Sequence, residues 1–99
     1  MTPPPAIRAV VFDVGETLID ETRIWTQWAH RLGVTPLTML GLVGACAATD
    51  QPVEAAFETI RPGFDVAAEE AAWAAEDPTG LRNTFDADDL YPDVRRALT

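Results

Sequence analysis

Val10-Val11-Phe12-Asp13-Val14-Gly15-Glu16-Thr17-Leu18 is the stretch on which the reading of this chain turns. Arg8 to Phe12 is a short apolar run, the pattern of a strand buried in a parallel sheet, and a strand is expected over residues 7–13. Directly after it come an aspartate, a glycine and a threonine. Open α/β sheets bind ligands outside the carboxyl ends of their strands. An isolated carboxylate is costly there unless something pairs with it. Asp13 is therefore the first candidate for a reacting group.

Upstream, residues 2–5 read as a disordered or polyproline-like leader. Downstream, Gly15 to Asp20 reads as a turn-forming link, and then the periodicity becomes helical. A first helix is expected from Glu21 to Leu32, with Ile24, Trp25, Trp28, Ala29 and Leu32 on one face, Asp20 capping its start and Gly33 ending it. A second runs from Pro36 to Ala48, opened by Thr35 and a first-position proline, with Leu37, Leu40, Val43 and Ala47 as its stripe. A third spans Pro52 to Ile60 on Val53, Ala56, Phe57 and Ile60, and Pro62-Gly63 stops it. A fourth spans Val66 to Ala75 and breaks at Asp77-Pro78-Thr79-Gly80. Residues 81–89 are acidic and irregular, and Leu90-Tyr91-Pro92 leads into a helix start at Asp93 to Thr99.

With 99 residues, one small domain is the upper bound. The formal net charge of −9 argues against nucleic acid, whose binding needs Lys and Arg on phosphates, and against an anionic membrane surface. All seven basic residues are arginines; there is no lysine. Cys46 is the only cysteine, so no intrachain disulfide can form, which is compatible with a cytoplasmic location. No signal segment and no membrane-length apolar run is visible. A lone buried-type strand cannot satisfy its own backbone, and no second apolar, β-branched run offers it a partner. The chain therefore reads as incomplete: a first sheet strand, a helical insertion, and the approach to the next core element.

Phe12-Asp13-Val14-Gly15-Glu16-Thr17-Leu18-Ile19-Asp20 resembles the first motif of the haloacid dehalogenase-like (HAD) hydrolase superfamily. Leu90-Tyr91-Pro92-Asp93-Val94-Arg95 resembles the segment those proteins carry before their second motif, and the helical stretch between looks like their inserted cap. The resemblance implies a Rossmann-like α/β core represented here only by its first strand, in a chain that is itself mainly helical. Residues 1–20 would be leader, core strand and nucleophile loop, 21–87 the helical cap, and 88–99 the return segment. It implies Asp13 as a nucleophile toward a small phosphorylated or halogenated molecule, with an aspartyl intermediate. It implies Mg²⁺ on Asp13 and the carbonyl of Gly15, with Thr17 helping to fix the loop.

The resemblance has departures. Phosphatase members usually carry a second aspartate two residues after the first, where this chain has Gly15, which cannot transfer a proton. Dehalogenase members lack it too. The family's later motifs supply a Ser or Thr, a lysine and acidic metal ligands, and they should lie beyond Thr99. The chain alone is therefore expected to be an inactive N-terminal fragment. Two other readings stay open. One is a small acidic helical interaction protein without catalysis. The other is a phosphate loop of the actin-like and sugar-kinase type, against which the helix after Asp20 counts. His30 reads as a surface histidine, Cys46 as a packed thiol, and Glu69-Glu70 and Asp86 to Asp89 as solvated acidic faces. Nothing in the sequence fixes the oligomeric state.

Overall fold

The computed structural model describes residues 3–99, so Met1 and Thr2, part of the expected leader, lie outside the described residues. Five α-helices carry the fold: α1 (Thr22–Leu32), α2 (Pro36–Ala48), α3 (Glu54–Ile60), α4 (Val66–Glu76) and α5 (Val94–Leu98), with a 3₁₀ turn at Ala87–Asp89. Local chemistry accounts for most of their limits. Asp20 accepts a hydrogen bond from the Thr22 N–H (2.9 Å) at the start of α1. Gly33 ends that helix in the left-handed region at φ 73°. Thr35 accepts from the Thr38 N–H at the start of α2, with Pro36 behind it. Asp65, which the sequence reading did not single out, caps α4 through the Ala68 N–H (3.0 Å).

The third helix starts two residues later than expected. Ala55 and Ala56 donate to the carbonyls of Pro52 and Val53 (both 3.0 Å), a tight three-residue spacing that precedes regular α-helix. The expected face of α2 holds at Val43 and fails at Leu37. Met39 is its buried residue, Leu42, Val43 and Cys46 pack beside it, and Leu37 is 82% exposed. This helix is apolar nearly all round, so periodicity could not choose a side, and packing on α1 chose it.

The core is aromatic. Trp28 (3% exposed) meets Phe57 edge-on at 4.9 Å and Trp73 edge-on at 5.2 Å, while Phe57 and Phe64 stack at 5.6 Å. Such pairs add to the burial of their own area. Ile24, Ala29, Leu32, Met39 and Ala56 complete the buried cluster. Arg31 lies over the Trp73 ring at 5.1 Å and pairs with Glu69 (2.7 Å) and Glu76 (2.8 Å).

The strand expected over 7–13 does not form. Among the described residues there is no strand, only isolated bridges between Gly15 and Ile19 and between Ile19 and Leu90. Ile7, Val10 and Val11 are 86%, 68% and 92% exposed. A strand's hydrogen bonds lie between chains, so an apolar run without a neighbour stays irregular, whereas a helix satisfies itself. No single helix among the described residues is long and apolar enough to cross a membrane.

Candidate functional site

The apolar run feeds into a tight loop at Val14–Ile19. The Val14 carbonyl accepts from the N–H groups of Thr17 (3.4 Å), Leu18 (3.0 Å) and Ile19 (3.1 Å), and Glu16 takes a positive φ of 57°. Asp13 stands exposed at the entrance of this loop, where its Oδ1 accepts from the Val14 N–H at 2.9 Å. Gly15 sits inside the loop; a Cβ there would lie 3.3 Å from Oε2 of Glu21. Thr17 is exposed and contributes its backbone N–H to the closure.

Glu16 does more than the sequence suggested. Its carboxylate accepts from the Glu21 N–H (2.7 Å) and from the Tyr91 hydroxyl (2.6 Å), tying the loop both to the start of α1 and to the return segment. The Glu16 carboxylate beside it, above all, pushes the Tyr91 phenol up to about 12. Glu21 is raised above the ordinary carboxylate range, first by burial and then by the negative charges of Glu16 and Asp13. Asp13, Glu16 and Glu21 thus form an acidic group around the loop.

The return segment lies directly against this loop. The Asp20 N–H donates to the Asp89 carbonyl (2.7 Å), and the Tyr91 N–H donates to the Leu18 carbonyl (3.1 Å). Arg23 locks the same junction. Its Nε and Nη2 grip the two oxygens of Asp89 at 2.9 and 2.7 Å, and its guanidinium also reaches the carbonyls of Arg82 (3.2 Å) and Thr84 (2.7 Å). Asp89 is 7% exposed, and the Arg23 guanidinium, helped by the Asp86 N–H, holds its carboxyl down at about 2. The expectation of a solvated face over Asp86 to Asp89 is therefore corrected at Asp89. The signal was present in the sequence: Asp86 and Asp89 have capping-box spacing, and that box forms.

A cleft of about 290 Å³ opens between the loop, the start of α1 and α2, walled by Glu16, Thr22, Trp25, Leu40, Val43 and Ala47. Among the described residues no three His, Cys, Asp or Glu side chains converge where a metal ion could sit. Mg²⁺ uses one or two carboxylates and keeps several waters. Asp13 accepts the Val14 N–H through Oδ1 and has Oδ2 left for an ion, while both oxygens of Glu16 and Oδ1 of Asp20 already hold backbone or hydroxyl donors. His30 is exposed, and Cys46 packs against the core as expected. No protein-family model, curated protein or solved structure matches the chain.

Proposed function

We propose that these residues are the N-terminal part of a HAD-like hydrolase, of phosphatase or dehalogenase type, with residues 21–87 as a helical cap inserted into a Rossmann-like α/β core. The observation that supports this most is the closure of the helical unit on itself. It leaves the loop after Asp13 at Asp20 and returns to the same loop at Asp89 and Tyr91, through bonds of 2.7 and 3.1 Å. Adjacent ends are what an inserted domain needs, since both must join one point of its host. The uncovered Ile7, Val10 and Val11 fit the same reading, because a neighbouring strand would both cover them and pair their backbone.

In this proposal an Asp13 oxygen attacks phosphorus and expels the alcohol, giving an acyl phosphate, or attacks a carbon bearing halide and expels halide, giving an ester; water then hydrolyses the intermediate and frees Asp13. Mg²⁺ at Asp13 and the Gly15 carbonyl would offset the repulsion between two anions. The substrate is a small phosphorylated or halogenated molecule, and the cleft beside the loop is where it would lie. A cytoplasmic location fits the single cysteine. By the same proposal the 99 residues, which contain no lysine, are inactive on their own.

The longest natural polypeptide containing these residues is expected to hydrolyse a generic phosphate ester or a 2-haloacid with Mg²⁺ present. Asp13→Asn lowers that turnover roughly 10³-fold or more; equal rates would remove Asp13 from the mechanism. A second reading, a small acidic helical interaction protein, draws on the aromatic core being complete within α1 to α4. It expects both forms to be inert.

A further inference from the structure

A second pocket, of about 230 Å³, meets the first at Glu21 and Trp25 and lies between α1, α3, the first turns of α4 and residues 83–85. It is smaller than the roughly 300–1,000 Å³ common for drug-sized ligands, so its occupant is small. Trp25 and the exposed Phe85 give it aromatic walls, with the buried Trp28 and Phe57 behind them. Glu54 and Glu70 stand in the same lining, with Glu21 at its edge turning its carboxylate toward Gly15, and no arginine or histidine is among the described residues that form it. The nearby arginines are engaged elsewhere, Arg23 on Asp89 and Arg31 on Glu69 and Glu76. Glu70 accepts only from the neutral amide of Asn83 (2.9 Å) among the bonds seen in this lining.

We propose that this pocket binds a small organic ammonium ion, with the aromatic faces against its N-substituents and the carboxylates balancing its charge. Each other class of ligand fails on one of these features. An anion meets the carboxylates of Glu54 and Glu70. A neutral apolar molecule fills the space yet strips water from those carboxylates without compensating them. A bare metal ion needs oxygens converging at about 2.0–2.6 Å, and no such group exists among the described residues. A soft, diffuse cation suits both halves of the wall, because π faces and carboxylates attract it together. The proposal stands whether or not Asp13 is a nucleophile.

The test is calorimetric titration of the 99-residue chain with choline and, separately, with its neutral isostere 3,3-dimethylbutan-1-ol. Choline is expected to bind at least about tenfold more tightly, with quenching of tryptophan fluorescence. Glu54→Gln and Phe85→Ala, both at exposed positions, each weaken choline roughly three- to tenfold. Asp88→Asn, an exposed acid outside the pocket, leaves it unchanged. Equal affinity for the two ligands, no binding up to about 10 mM, or an equal loss in Asp88→Asn would each overturn the assignment.

Discussion

Residues 7–14 and helix α1 are both rich in large apolar side chains, yet they end in opposite surroundings. Ile7, Val10, Val11 and Val14 face water, while Ile24, Trp28 and Leu32 are buried. The difference lies in the backbone. A helix closes its hydrogen bonds within itself and needs only something apolar to lean on, which α2, α3 and α4 supply. An extended run needs another chain segment at hydrogen-bonding distance as well. The consequence is visible in the molecular dimensions: the radius of gyration is 17.8 Å, against about 13 Å for a compact chain of this length.

The sharpest way to break the comparison is to hollow out its buried half. Trp28→Ala removes the ring that Phe57, Phe64 and Trp73 all contact. The expected cost is about 3–5 kcal/mol, comparable to what a core this small supplies, so cooperative thermal melting should disappear. A mutant that still melts sharply would show that the helices do not depend on this cluster.

A smaller effect is expected at the junction between the two halves. Asp89→Asn should cost about 2 kcal/mol in urea denaturation. The sign of its pH dependence follows from the folded value of about 2 against 3.8 for an ordinary aspartate. The folded state holds the proton less tightly, so the stabilisation is full above about pH 4 and drains away as pH falls toward 2. The variant should lack that acid limb; an unchanged acid limb would mean that the Arg23 pair is not formed in solution.

The smallest change is expected in the exposed half. Val11→Asp should leave stability within about 0.5 kcal/mol of the parent, as surface substitutions do. A loss above about 1 kcal/mol would mean that the run packs on something after all.

What could be read from the sequence divides along the same line. The faces of α1 and α3 were legible because their apolar residues are one-sided, and Thr35, Pro36 and Gly33 marked ends through chemistry local to each. The face of α2 was not, because side chains on every side are apolar and only the neighbour decides. The strand was misread because a strand is a property of two segments, and the pattern in one says nothing about the other. At the candidate site, Gly15 and Thr17 were read as part of a turn and lie in one, whereas Asp13 was read as the end of a strand that does not form. The contacts that hold that loop were invisible: Glu16 reaches Tyr91 across 75 positions, and Arg23 reaches Asp89 across 66. Single-sequence patterns carry no information at such separations.

The edge-on meeting of Trp28 with Trp73, at 5.2 Å and 81°, has a spectroscopic consequence. Two indoles fixed at that separation couple their transitions, so near-ultraviolet circular dichroism should carry a signal that vanishes when the rings rotate freely. Because the rings belong to α1 and α4, that signal would time the docking of the last core helix onto the first, apart from the appearance of helix itself.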